Sequence, residues 1–227
     1  MPELPEVETI RLQLHPRIVG RSVTEAWSHI SAKFTPALAA TGARFGGTSR
    51  RGKYLLIELD DGRDLVVHLG MTGQLSIVAQ NADVDEENDY IRAWWSLDDG
   101  TRLLFRDVRR FGRLAVLPRG DHDSIPTLRA MGPEPFDESF DGVAFWHRLR
   151  SSNQRLKTQL LSQRPVAGVG NIYADEALFL AGINPVVRRL SAERADRLLA
   201  AIREVLADGL TRGGTTLRDY RSLQGAG

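Results

Sequence analysis

Cysteine is absent from the 227 residues, which excludes disulfides and every thiolate metal site within this chain. Histidine is scarce, at five, and none stands in a metal-ligand spacing, so no bound metal is expected. Lysine is rarer still: Lys33, Lys53 and Lys157 are the only three in a chain whose other basic residues are arginine. A lysine retained in such a background points to a need for a compact ammonium in place of a planar fork. No apolar run approaches the roughly 18 residues of a membrane-spanning helix. The first residues lack the basic-then-apolar pattern of a secretory signal, so the cytoplasm is the default compartment. With 42% hydrophobic and 26% charged residues the composition is that of a globular protein, long enough for one large or two modest domains.

The net charge of +1 conceals an uneven distribution. From Thr101 to Arg119 there are six arginines and one acid, Asp107, directly after an acidic patch formed by Asp83, Asp85, Glu86, Glu87 and Asp89. A neutral total can hide a basic face of the kind that binds polyanions, and a solvated strand face explains the same run equally well.

Residues 1–118 are expected to form a strand-rich domain behind an opening helix. Pro5 suits a helix start, and Val7, Ile10 and Leu14 recur at helical spacing until Pro16 ends the pattern. Six β-rich runs follow: KYLLIEL, DLVVHLG, QLSIVA, RAWWSL, RLLFRDV and RLAVLP. Asp61-Gly62 and Asp99-Gly100 supply hairpin turns. Antiparallel strands without alternating helices predict a β-sandwich or barrel. Residues 119–138 read as a Pro-, Gly- and Asp-rich linker with one helical turn. Residues 139–227 read as helical, with segments near 141–151, 155–163, 171–181 and 191–212. The last of these has Ser191 as N-cap and Gly213-Gly214 as terminator. The fold class is therefore α+β.

The opening MPELPEVE admits two readings. Acids at a helix N-terminus simply complement its dipole. Alternatively, removal of Met1 exposes the secondary amine of Pro2. A free α-amino group is roughly ten per cent unprotonated at pH 7, against less than about 0.1 per cent of a lysine, although the amine of proline is somewhat more basic than that generic value. Attack by such an amine on a sugar C1′ or a carbonyl gives an iminium electron sink, with Glu3 and Glu6 nearby to move a proton or stabilise charge. In GVGNIYADEALFLAGINP the glycines before Asn171 present helix-start N–H groups to a phosphate, or else form an ordinary interhelical turn. Met71 in HLGMTG, with Arg109 and Phe111 in DVRRFG, are either wedge residues for a duplex or core filling. Lys53 and Lys157, taken singly, read as surface charge. The tail GGTTLRDYRSLQGAG is a functional loop or a frayed end.

Together PELPEVET, HLGMTG, RRFG, GVGNIYADE and GGTTL, in this order and running from Met1 to the last residues, closely resemble formamidopyrimidine-DNA glycosylases, bacterial base-excision enzymes for oxidised purines. The resemblance implies a β-sandwich followed by a helical domain with a helix–two-turn–helix motif. It implies Pro2 as nucleophile, Glu3 as acid/base at the sugar and Glu6 near the damaged nucleotide. Lys53 would join Pro2 and Glu3 as a catalytic residue and, with Lys157, His68, Gly170 and Asn171, would hold phosphate or the lesion region. Met71, Arg109 and Phe111 would fill the gap left by a flipped base, Arg109 facing the orphaned cytosine. Thr215, Thr216, Arg218 and Tyr220 would belong to a lesion-recognition loop. The implied partner is double-stranded DNA bearing oxidised purines or abasic sites, bound by a monomer, with 8-oxoguanine and formamidopyrimidines excised and the strand then cut by β,δ-elimination.

One departure stands out. The family continues into a four-cysteine zinc finger whose arginine grips phosphates, whereas these 227 residues stop inside the lesion loop. A fragment, a processed chain and a natural short form all remain open, and weaker DNA binding is expected without the finger. Three rivals are the pyrimidine-directed endonuclease VIII branch, a truncated non-catalytic binder of damaged DNA, and an unrelated tautomerase-like enzyme with an N-terminal proline. In the last kind the proline begins a strand, whereas here Pro2 precedes a helix.

Overall fold

The computed structural model describes residues 1–86 and 89–214. Two four-stranded antiparallel sheets face each other. One has the order β1 (Val23–Ser28), β6 (Ile91–Leu97), β7 (Thr101–Asp107), β5 (Gly73–Ala79). The other has the order β2 (Phe45–Arg51), β3 (Tyr54–Leu59), β4 (Arg63–His68), β8 (Arg113–Pro118). The pleat explains the layers, because alternate residues point to opposite faces. Leu55, Ile57 and Leu59 of β3, Leu65 and Val67 of β4, and Leu103 and Phe105 of β7 meet Ala93, Trp95 and Leu97 of β6 in the sandwich core. The intervening Tyr54, Leu56 and Val66 point outward and pack beneath the linker residues Ile125, Leu128 and Met131. The expected sandwich is therefore present, with Asp61-Gly62 and Asp99-Gly100 turning two of its hairpins at positive φ.

Two strands escape the sequence pattern. VTEAWS (β1) and FGGTSRR (β2) lack a continuous apolar alternation and are recruited by backbone pairing to β6 and β3. The opening helix α1 runs Leu4–Ile18, so Pro16 does not end it. A proline in the final turn costs only the hydrogen bond to Leu12, an exposed residue whose carbonyl water can reach.

The linker contributes one helical turn, α2 (Pro126–Arg129). Beyond it lie α3 (Gly142–Arg150), α4 (Leu156–Leu161), α5 (Asn171–Leu180) and α6 (Ala192–Thr211). Ser191 caps α6, its hydroxyl accepting from the Arg194 amide at 3.3 Å, and Ala195, Leu198, Leu199, Ile202 and Leu206 bury the helical stripe. Helix α1 joins the two layers: Val7, Ile10, Leu14 and Ile18 belong to the sandwich core, while Leu4 belongs to the helical core. The Leu4 amide donates to the Gly168 carbonyl at 3.0 Å. The chain's first residues are thus held at the seam between strands and helices. No helix among the described residues is long and apolar enough to cross a membrane.

Candidate functional site

Glu3 is the centre of the seam. Its backbone N–H donates to Glu6 at 2.9 Å, a reciprocal arrangement that starts α1. Its side chain reaches the start of α5 instead of solvent. The carboxylate accepts from the Gly170 amide at 2.5 Å, from Ile172 at 2.9 Å and from Tyr173 at 3.4 Å. The helix-start amides expected to cradle a phosphate are therefore mostly taken by an internal carboxylate, which leaves the exposed Asn171 as the open position of that turn. This corrects the simple phosphate-cradle expectation. A buried carboxylate is itself an anion, and a helix N-terminus serves it in the same way.

Glu3 is 1% exposed and Lys53 3% exposed. Burial raises the Glu3 carboxyl above its ordinary range, opposed by the charge of Lys53 and by the Ile172 and Gly170 amides. Burial also pulls the Lys53 ammonium down to about 8, against the pull of Glu3 and Glu6. Gly170 makes this closeness possible. A Cβ there would stand 2.5 Å from Lys53 Nζ and closer still to the Glu3 carboxyl carbon. Glu6, also buried, accepts from the Tyr173 hydroxyl at 3.1 Å, a second tie from α1 to α5. Pro2, next to Glu3, is buried, while Met1 is 40% exposed.

Lys53 sits in the tight turn between β2 and β3, and that turn is clamped from the linker by Glu134, which sequence reasoning missed. The Glu134 carboxylate accepts from Gly52 N at 2.7 Å, from Arg50 at 2.8 Å and from Arg51 at 3.0 Å. Only its position in the Pro- and Gly-rich linker marked it, and charge alone gives no partner.

His68 closes β4 opposite Tyr54, with ring centroids 4.6 Å apart. Burial, with Lys53 and Arg113 nearby, holds its imidazole down to about 4, so the ring is neutral at pH 7. Its Nδ1 accepts from the Gly70 amide at 3.2 Å, leaving Nε2–H as a donor.

Two loops meet beyond it. Met71 is 41% exposed and Phe111 50% exposed, with the Arg109 guanidinium 5.0 Å from the Phe111 ring centroid. These three side chains are not core. Asp107, fully buried, joins the loops: it accepts from the Thr72 hydroxyl at 2.6 Å and from the Gly112 amide at 2.7 Å. The Arg109 amide in turn donates to Thr72 Oγ1 at 3.0 Å. Asp107 was visible in the sequence only as the lone acid among six arginines.

Other expectations fare differently. The six arginines of 101–119 do not form one basic face. Arg102 lies over Trp94, Arg106 bonds the Asp89 carbonyl, and Arg119 pairs with Asp64. Lys157 is paired with Asp175 at 2.7 Å. Thr215, Thr216, Arg218 and Tyr220 lie outside the described residues. A chain without cysteine cannot supply a four-cysteine zinc site, and among the described residues no group of three metal-ligating side chains gathers.

Comparison with known proteins agrees with this architecture. Residues 1–114 match the formamidopyrimidine-DNA glycosylase N-terminal domain, and residues 131–221 match the formamidopyrimidine-DNA glycosylase H2TH domain. Formamidopyrimidine-DNA glycosylase of Thermus thermophilus is 45% identical over 99% of this chain and 82% of its own length; that of Deinococcus radiodurans is 41% identical over 100% and 82%. The crystal structure of the Thermus thermophilus MutM (Fpg) protein superposes with a TM-score of 0.87 at 44% identity, covering 97% of this chain and 81% of that one. A Lactococcus lactis Fpg mutant in complex with Fapy-dG-containing DNA gives 0.88 at 33% identity, covering 100% and 84%. The chain belongs to the formamidopyrimidine-DNA glycosylase family of base-excision repair enzymes.

Proposed function

We propose that this protein excises oxidised purines, 8-oxoguanine and formamidopyrimidines, from duplex DNA through the amine of Pro2 and then cuts the strand at the resulting site. The observation that carries the reading is the burial of Glu3, one residue from Pro2, against Lys53 and Gly170. A pair of ionisable groups whose environments move both toward neutrality is suited to proton transfer. Relatives of this chain bound to DNA containing an abasic site or Fapy-dG support the substrate class.

Removal of Met1 frees the Pro2 nitrogen. That nitrogen attacks C1′ of the extruded nucleotide, the base leaves with the glycosidic electron pair and takes up a proton, and opening of the sugar ring gives an iminium. Glu3, raised by its burial, moves the proton at the ring oxygen. The iminium acidifies the adjacent C2′ hydrogen, so the 3′ phosphate leaves first and the 5′ phosphate next. Lys53, packed against Glu3, shares in its proton transfer, and the neutral His68, an Nε2–H donor, is assigned to a flanking phosphate. Extruding a nucleotide costs a few kcal/mol, and Met71, Arg109 and Phe111 offset this by filling the vacated space.

The test is borohydride trapping on duplex with 8-oxoguanine opposite cytosine. The wild type is expected to form a covalent adduct and Pro2→Gly none. A wild type that traps on neither the lesion nor a plain abasic site would make the protein a binder only. Intact mass must show loss of Met1. Replacing the lesion with an oxidised pyrimidine distinguishes the endonuclease VIII-like alternative.

A further inference from the structure

We propose that the helical domain carries a second phosphate track, outside the lesion cleft, that holds flanking duplex DNA; the proposal rests on the nucleic-acid substrate argued above. Residues 142–165 and 182–192 contain no aspartate or glutamate. They supply six exposed arginines: Arg148, Arg150, Arg155, Arg164, Arg188 and Arg189.

These arginines are gathered by the fold. Arg188 donates to the Asn153 carbonyl at 3.0 Å, and Arg189 donates to the Arg150 carbonyl at 2.7 Å and to the Asn153 side chain. The Arg150 guanidinium lies 4.6 Å from the Trp146 ring centroid. Arg148 reaches the Arg164 carbonyl at 3.3 Å. A cavity of about 690 Å³ is lined by Arg148 and Arg164, with Asn153, Gln154 and, from α2, Pro126 and Thr127; the other four arginines do not line it. Hydrogen bonds link the patch to the start of α4: the Leu156 amide donates to the Val187 carbonyl at 2.7 Å, and the Lys157 amide to the Pro185 carbonyl at 3.2 Å.

Several arginines elsewhere in this chain are neutralised by carboxylates. Arg11 and Arg50 pair with Glu8, Arg50 and Arg51 with Glu134, and Arg119 with Asp64. None of the six in the patch has a carboxylate partner among the described residues. Some of this charge serves α3, since Arg148 and Arg150 complement its C-terminal dipole and Arg189 bonds its last carbonyl. Arg155 and Arg164 do neither. None of the six guanidiniums makes more than two hydrogen bonds among the described residues, which leaves most of its five N–H donors for a ligand, and converged like charges repel until a polyanion arrives. A nucleic-acid backbone, with one phosphate every few ångströms, matches such a spread of unpaired forks.

The experiment measures binding of undamaged duplex across a salt series, with a duplex of roughly 12 base pairs and one of roughly 40. Arg155→Gln/Arg164→Gln, whose side chains form no hydrogen bond or ion pair among the described residues, is the first variant; Arg150→Gln/Arg189→Gln is the second. On the long duplex the slope of log K against log salt is expected to flatten by roughly 0.9 for each phosphate left without its arginine, about 2 per double variant, with the short-duplex slope and lesion turnover unchanged. An unaltered long-duplex slope in both variants overturns the proposal. An equal loss on both lengths also overturns it, because the arginines would then belong to the cleft. Absence of lesion cleavage by the wild type would sink the catalytic reading instead, and leaves the salt slopes readable.

Discussion

Thr72 and Asp107 lie 35 residues apart and share a 2.6 Å hydrogen bond that ties the loop bearing Met71 to the loop bearing Arg109 and Phe111. Both partners of the Asp107 carboxylate are donors, because Thr72 already accepts from the Arg109 amide and Gly112 offers an N–H. An asparagine presents one acceptor and one donor, so it leaves one of these bonds unmade. Asp107→Asn is expected to lower stability by about 1–3 kcal/mol in denaturant unfolding. Under conditions where it remains folded, it should also lower lesion excision at least about tenfold, as misplaced positioning groups do. Full excision activity in the folded variant would mean that the two loops act independently.

Phe111 separates stability from function in the opposite sense. Half-exposed and packed chiefly with Arg109, it gives the fold little, so Phe111→Ala should change stability by no more than about 0.5 kcal/mol. Excision from duplex should nevertheless fall sharply, while trapping on a single-stranded abasic site, which needs no wedge, should persist. Equal loss on both substrates would remove the wedge role.

Gly170 tests the Glu3–Lys53 contact. In Gly170→Ala the new methyl must push aside the Glu3 carboxyl or the Lys53 ammonium, costing roughly 1–3 kcal/mol of stability. Borohydride trapping should fall further than stability does. Wild-type trapping rates in this variant would show that the packing of these two groups against α5 is immaterial to the chemistry.

His68 gives the fold a pH dependence. Its pKa is about 4 in the folded chain against 6.5 ordinarily, so the unfolded chain binds the extra proton between those values. Stability therefore rises with pH across that window and is lost as pH falls through it, by up to about 3 kcal/mol from this group. His68→Gln should flatten the stability curve between pH 6.5 and 4, read by denaturant midpoints. An unchanged acid limb would show that the imidazole is not held neutral.

Lys53 shifts in the same direction at higher pH. Holding its ammonium at about 8 instead of 10.5 means that the charged form costs stability at neutral pH, a cost relieved as pH rises from 8 to 10.5. Lys53→Met removes that cost but also takes from the buried Glu3 its opposing charge, so its thermal midpoint at pH 7 should change little while strand cleavage is lost. A strongly destabilised variant would mark Lys53 as a structural ion-pair member.

Much of the strand layer was legible because its residues alternate: LLIEL, DLVVH and RLLFRD each send every second side chain into one core. β1 and β2 were not, because pairing with a neighbour, rather than their own apolar pattern, makes them strands. The α6 boundaries were legible to within a residue, since Ser191 and Gly213-Gly214 are local signals.

By itself the sequence determined which chemistry is available: a proline behind a methionine, two acids at the start of the first helix, three lysines and no thiol. It also determined the two layers and the motifs of the family, because alternation, helical spacing and turn residues act over short stretches of chain. Only the tertiary structure decided that Glu3 caps α5, that Gly170 leaves room for Lys53, that Asp107 joins two loops and that Glu134 clamps a hairpin. Each of these depends on groups between 35 and 170 residues apart meeting in an at least partly buried place, where loss of water makes a single charge or hydrogen bond decisive.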